Sequence, residues 1–361
     1  MIRYDKTDER MRRLNQRQQR ILGLLLSGEN FSSSAVYAQL RGKEEKLSLV
    51  TVKRALSELS GLDLISSKGS GRATTYEISV PGRIHANVDA HAYCTVEPDK
   101  RYGSSQYNFE LFSQFPTDVF LASEQSTLDD ATDEYKKRTA DLPNTIQKKE
   151  LERLVVELSW KSSKIEGNTY TLLDTEKLIM EHKEAPGHSK NEARMILNHK
   201  EAFTFIHEHA DSFKVLTRAN LEQLHTLLVK DMGVGLGLRK KPVGVLGSTY
   251  RPLDNIHQIT DAVGDLSRAV LSAVTPYTKA LVALSGISYV QPFEDGNKRT
   301  SRLMANALLM AYGCAPLSYR SIDENAYREA MLVFYELNSI IPLKEIFIGQ
   351  YVFAAKNYAA K

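Results

Sequence analysis

The chain has 361 residues, 42% hydrophobic and 25% charged, with 47 Lys+Arg against 44 Asp+Glu. That composition excludes the disordered, collagen-like and coiled-coil classes, and the length predicts two or three domains rather than one small core. No stretch approaches the ~20 apolar residues of a membrane span. The opening MIRYDKTDERMRRLNQ lacks the apolar run of a signal peptide, and Cys94 and Cys314 are too few for a disulfide framework. A cytoplasmic protein is expected. Charge is uneven: residues 1–80 hold 14 basic against 9 acidic side chains, the remainder 33 against 35. A basic N-terminal segment is compatible with a nucleic-acid-facing module and, on charge alone, more readily with a solvated basic face.

Residues 15–80 predict three helices and a hairpin. Asn15 can cap a helix carrying Ile21, Leu22, Leu24 and Leu25 that ends near Gly28, and Ser32–Ser34 offer caps for a short second helix. A third runs from about Ser48 to Leu59, with Leu49, Val52, Leu56 and Leu59 on one face and Gly61 closing it. Then come Leu64–Ser66, a glycine-tipped turn at 68–72 and alternating Thr74, Tyr76 and Ile78. This order resembles a winged helix-turn-helix domain over 1–82. It leaves Thr51, Lys53, Arg54 and Ser57 to face a major groove, with Lys68 and Arg72 at the wing tip for phosphates. Winged helices also serve as protein-docking modules. As a homodimer the domain would present two half-sites on DNA.

Pro81-Gly82 marks a boundary, after which 83–144 read as a linker with a Tyr/Phe-rich stretch suited to packing (Tyr102, Tyr107, Phe109, Phe112 and Phe115). From about 145 to 361 the pattern is helical, without internal repeats.

The densest chemistry lies in Gln291-Pro-Phe-Glu-Asp-Gly-Asn-Lys-Arg-Thr-Ser-Arg302, between two segments apolar on nearly all sides, 277–290 and 303–312. Asp295, Gly296 and Asn297 precede a helix start, where backbone N–H groups and the helix dipole converge on an anion. Lys298, Arg299 and Arg302 crowd positive charge into that turn, where the dipole disfavours it unless an anion neutralises it. Asp295 offers a hard oxygen for Mg²⁺ shared with phosphates. The residues thus predict a Mg-nucleotide site; a helix capped by Asp295 with surface arginines is the plainer alternative.

The loop resembles the signature of the Fic family, H-P-F-x-D/E-G-N-G-R-x-x-R, matching Pro292, Phe293, Asp295, Gly296, Asn297, Arg299 and Arg302 in register. Resemblance extends over roughly 145–350. It includes Ser162-Ser-Lys-Ile-Glu166-Gly167-Asn, which looks like the family's inhibitory helix motif near 150–168. It also includes Val243, Gly244, Val245, Leu246, Gly247 and Ser248, which look like the β-hairpin flap that holds a target segment. The resemblance implies a mainly α fold with that flap, plus the α+β winged helix. It further implies ATP and Mg²⁺ as ligands, and AMP transfer to a Tyr, Thr or Ser hydroxyl of a target protein. Asp295 would bind Mg²⁺, Asn297 the α-phosphate and the 296–299 backbone an anion hole, with Arg299 and Arg302 on the distal phosphates. Glu166 would pair with Arg302 and block the γ-phosphate.

Two departures shape the expectation. Gln291 stands where the family has its general-base His, and an amide takes no proton near pH 7. Lys298 replaces the usual Gly, as in the Doc subgroup, which phosphorylates protein targets. The expected function is a self-inhibited adenylyltransferase scaffold, weak or inactive as written. The alternatives are an ATP-binding, DNA-binding regulator without transfer activity and a Doc-like protein phosphotransferase.

Overall fold

The computed structural model describes residues 13–42, 47–140 and 142–359. The signal-peptide reading at the N-terminus therefore falls mainly on positions 1–12, outside the described residues. The described chain forms two compact units. One comprises the residues up to Ala122 with Gly244–Arg251 and Ala326–Lys344; the other comprises Ser123–Val243, Pro252–Asn325 and Glu345–Lys361. The fold is mainly α, with one small three-stranded sheet among the described residues.

In the first unit, α1 (Gln16–Leu25) starts in a capping box: the Asn15 side chain accepts from Gln18 N–H, and the Gln18 side chain reaches back to Asn15 N–H. Ser32 caps α2 (Ser33–Arg41) and Ser48 caps α3 (Leu49–Gly61). Side-chain oxygen acceptors, one amide and two hydroxyls, thus set all three starts, where four backbone donors would otherwise lack partners. The apolar face of α3 is Val52, Ala55, Leu56 and Leu59; Leu49 at its edge is only half-buried, and Gly61 is inside the last turn with Leu62 as cap. The expected hairpin is β2 (Ile65–Lys68) and β3 (Thr75–Ile78), antiparallel with Lys68 opposite Thr75. A short β1 (Phe31–Ser32), not foreseen, pairs with the other edge of β3, giving the order β1-β3-β2.

Pro81-Gly82 does not interrupt the chain but lies in the first turn of α4 (Val80–His85), capped by Ser79. Glycine is needed at 82 for space: a Cβ there would sit 2.0 Å from the Leu64 carbonyl oxygen. Ala86, Tyr93 of α5 (Ala90–Cys94), Val333 and Leu337 join the same core as Ile21, Leu25, Val52 and Leu56. Within the aromatic stretch, Phe112 and Phe115 are buried, whereas Tyr102 and Phe109 are exposed.

The second unit contains α7 (Asn144–Ile165), α8 (Leu172–Glu181), α9 (Lys190–Glu208), α10 (Arg218–Leu228), α11 (Ile256–Ser272), α12 (Pro276–Val290) and α13 (Asn297–Ala311). Here α6 is the intervening Ala122–Ala140 helix, which begins one residue before this unit. Helix α12 has Thr275 as cap and Pro276 at its first position, and every residue from Tyr277 to Val290 is buried. It packs most extensively on α13, also buried along most of its length, so the 291–296 loop hangs between two fixed helices. The remaining helices are α14 (Glu324–Leu337) and α15 (Ile341–Asn357).

Candidate active site

Helix α12 ends because Gln291 adopts a left-handed conformation, φ 50° and ψ 59°. Its side chain folds onto its own loop: Nε2 donates to the Ser288 carbonyl at 2.7 Å, and Oε1 accepts from Asn297 Nδ2 at 3.0 Å. Asn297 Nδ2 also donates to the Phe293 carbonyl, and its Oδ1 accepts from Phe293 N–H, both at 2.8 Å. The Asn297 amide is therefore a brace across the loop, buried and engaged on both faces. Gly296 supplies the left-handed turn (φ 80°) into α13, and no side chain caps that helix. Asp295 is not the cap; its carboxylate, 65% exposed, accepts from Arg299 Nη2 at 3.0 Å.

Each cation of the first turns meets a carboxylate. Arg302 is fully buried, with Nε on Ser162 Oγ (2.9 Å), Nη2 on the Ser162 carbonyl (2.8 Å) and Nη1 on Glu166 Oε1 (2.8 Å). Lys298 Nζ lies 3.7 Å from Glu166 Oε2. Glu166 is the residue that ends α7, and Gly167 follows with φ +95°, so the chain turns away after the carboxylate has been presented. Burial alone would push the Glu166 carboxyl up, but Arg302, Lys298 and Arg299 outweigh it and hold it below the usual range. Burial works the other way on Arg299, lowering its pKa with help from Arg302 against Asp295 and Glu166.

Two histidines complete the surroundings. His225 of α10 stacks on Phe293, ring centroids 3.7 Å apart and planes 8° from parallel, and its Nε2 donates to the Asp295 carbonyl at 3.0 Å. Its buried Nδ1 has no partner among the described residues, which fits a neutral ring protonated at Nε2. Burial is the main cause that pushes its pKa down to about 4. His199 of α9 is fully buried, with Ser159 Oγ 3.4 Å from Nδ1; burial, then Arg302 and Arg299, push it down to about 3. Neither histidine is prominent in the sequence. A His 70 positions from Asp295 carries no local signal, and only its place on the inner face of an amphipathic helix could have drawn attention.

The structure thus brings together Ser162, Glu166, Gln291, Asp295, Gly296, Asn297, Lys298, Arg299 and Arg302. Segment 244–251 belongs to the first unit and forms no strand; it turns at Leu246-Gly247. The Gly247 carbonyl accepts from Arg101 Nη1 (3.0 Å), the Ser248 hydroxyl donates to Glu336 (2.6 Å), and Arg251 N–H donates to the Ser105 carbonyl (2.8 Å). Much of its backbone is already committed, and Leu246 is 95% exposed at the tip. On α3, Lys53, Arg54 and Ser57 are exposed and Thr51 half-buried, but Arg54 is paired with Glu58 at 3.1 Å. Arg72 is exposed beside the sheet turn, and Lys68 is paired with Glu77 at 2.7 Å.

Residues 215–309 match the family model described as "Fic/DOC family", a span that takes in His225 and the 291–302 loop. The chain is 27% identical over 174 residues to the protein adenylyltransferase Fic of Nematostella vectensis, covering 47% of this chain and 41% of that protein. With the protein of the same name from Drosophila willistoni the identity is 30% over 156 residues, covering 42% and 31%. The chain therefore spans less than half the length of these curated relatives. Among solved structures, Fic-1 (residues 134–508) from C. elegans superposes with a TM-score of 0.58 at 15% identity, covering 94% of this chain and 96% of that one. A Fic domain containing signaling protein from Bacteroides thetaiotaomicron gives 0.55 at 20% identity, covering 64% and 94%. Over residues 215–309 the chain is thus similar to the Fic/DOC family, and its mainly helical fold is similar to that of solved Fic proteins. Among the described residues, no helix is long and apolar enough to cross a membrane.

Proposed function

We propose that the second unit is a protein adenylyltransferase scaffold that binds ATP at the start of α13 and is held inactive by Glu166. The observation that carries this reading is the Arg302 guanidinium, buried and aimed by Ser162, with its remaining edge on Glu166 at 2.8 Å. One guanidinium edge holds a carboxylate or a phosphate, not both, so Glu166 stands where a distal phosphate would go. Arg299 and Lys298 are likewise neutralised by Asp295 and Glu166, which accounts for so much positive charge at a helix start.

Mg²⁺ fits the donor chemistry: Asp295 offers an exposed hard carboxylate at the loop edge, and an ion there would be completed by phosphate oxygens. When bound, Mg²⁺ supplies neutralisation of phosphate charge. The uncapped first turn of α13 and Gly296 leave backbone donors for phosphate oxygens. In the transfer, a target hydroxyl oxygen forms a bond to the α-phosphorus, the bond to pyrophosphate breaks, and the hydroxyl proton needs an acceptor. Gln291 cannot take it, and its amide is committed to Ser288 and Asn297. About 10²–10⁴-fold of general-base assistance is therefore missing from the chain as written. Tyr, Thr or Ser hydroxyls of a target protein are the proposed acceptors.

A second reading concerns the first unit. Its three capped helices and basic sheet turn support a winged helix over 1–82 whose exposed Lys53, Arg54 and Ser57 face DNA, as a monomer or a homodimer. With it goes the alternative that the chain is a regulator that senses ATP without transferring it. Free cysteines at 94 and 314 suit a cytoplasmic setting.

Four versions incubated with cell extract and Mg-ATP separate these readings: as written, Gln291→His, Glu166→Gly, and both changes, with label at the α- or the γ-phosphate. The proposal predicts strong α-label on protein in the double change alone. Transfer of γ-label would point to a Doc-like phosphotransferase, and no transfer with ATP still bound would leave the sensing regulator.

A further inference from the structure

Lys298 and Arg302 stand one turn apart on α13, and the Glu166 carboxylate faces both. Oε1 is 2.8 Å from Arg302 Nη1 and Oε2 is 3.7 Å from Lys298 Nζ. The two cations differ in freedom. Arg302 is fully buried and pinned at its other edge by the Ser162 hydroxyl and carbonyl, whereas the Lys298 side chain is 33% exposed. Each charge is also badly placed on its own helix. Glu166 sits at the negative end of α7, and Lys298 at the positive start of α13. Pairing offsets both placements, so a ligand that draws Glu166 from Arg302 alone leaves Lys298 uncompensated beside a helix N-terminus.

We infer that Lys298 is the second arm of the Glu166 latch, so that the latch opens to a ligand carrying enough charge for two cations, a nucleoside triphosphate rather than a diphosphate. This inference rests on the nucleotide reading above and adds the regulation and ligand preference of the same site. Lys298 has two opposed effects. It strengthens the closed state through Glu166, and it contributes to the open state through the terminal phosphate. Removing Lys298 alone therefore predicts little about affinity, and the informative quantity is the coupling between the two positions.

The test is a double-mutant cycle in the full chain with Glu166→Gln, Lys298→Met and both, read in two ways. Urea unfolding without nucleotide reads the latch itself, and calorimetric titration with Mg-ATP and Mg-ADP reads its effect on ligands. The inference predicts non-additive unfolding. It also predicts that Glu166→Gln raises ATP affinity about tenfold with Lys298 present and only about two- to threefold in the Lys298→Met background. The gain for ADP is smaller than for ATP. Additive unfolding, or equal ATP gains in the two backgrounds, overturns the second arm. Equal gains for ADP and ATP overturn the triphosphate preference. If no version binds ATP although unfolding is non-additive, the latch stands as a structural pair. The nucleotide reading then falls, and the inferred regulation with it.

Discussion

His225 and Phe293 lie face to face, 3.7 Å between ring centroids, and the same imidazole donates through Nε2 to the carbonyl of Asp295. One side chain from α10 thus fixes both the apolar anchor and the acidic member of the 291–296 loop. Asn297 braces the loop from the opposite direction, through Phe293 N–H, the Phe293 carbonyl and Gln291. The loop conformation is over-determined, with Glu294 and the Asp295 carboxylate as its exposed elements.

His225→Phe keeps the stacked ring and removes the bond to Asp295. The expected loss of stability is about 1 kcal/mol, the net value of one hydrogen bond, because the imidazole Nδ1 has no partner to lose. Urea unfolding measures it. His225→Ala removes the stack as well and should cost about 3 kcal/mol.

His199 gives a pH signature. Its folded pKa, about 3, lies below its ordinary value of 6.5, so the unfolded chain binds a proton that the native one refuses. Its contribution is present in full above pH 6.5 and is lost as pH falls from there towards 3. The slope is at most about 1.4 kcal/mol per pH unit. His199→Gln should flatten unfolding free energy against pH in that window relative to the unaltered chain. An unchanged slope would assign the acid sensitivity to other groups.

Glu336 is a buried carboxylate of the first unit, accepting from Tyr93 OH (2.7 Å), Ser248 Oγ (2.6 Å) and Arg101 Nη1 (3.3 Å). Glu336→Ala leaves Arg101 buried without its counter-charge and should cost about 3–5 kcal/mol. Ser248→Ala removes one donor only, and hydrogen exchange over 244–251 should rise with little change in global stability.

On the DNA reading, Lys53 is an exposed phosphate contact, while Arg54 is held by Glu58. Lys53→Ala should weaken duplex binding uniformly across sequences and lower the slope of log affinity against log salt by about 1. Fluorescence anisotropy across a salt series checks this. A change confined to one sequence would argue for base contact instead.

What the sequence made legible was local. Asn15, Ser32 and Ser48 lie beside the turns they cap, and the 291–302 run carries its chemistry in twelve adjacent residues, so composition and spacing suffice. Contacts distant in sequence stayed hidden. His225 and His199 reach the site from α10 and α9, and β1 is only two residues long. Gly82 resembled a boundary because a glycine required by a close backbone approach looks the same in sequence as one that breaks a chain. Segment 243–248 was read from residue type, yet its bonds to Arg101 and Glu336 depend on tertiary packing. Glu166 and Arg302 were paired through resemblance, and their 2.8 Å contact spans 136 positions.

On the proposed reading, nucleotide and Glu166 compete for Arg302. Hydrogen exchange of the full chain with and without saturating Mg-ATP addresses it directly. The amides of Glu166, Gly167 and Asn168 are bonded to the carbonyls of Ser163 and Lys164 in the latched state. Competition for Arg302 predicts that Mg-ATP speeds exchange across 163–168 while slowing it at 296–302. ATP binding that leaves 163–168 unchanged, or that protects both segments together, would contradict it.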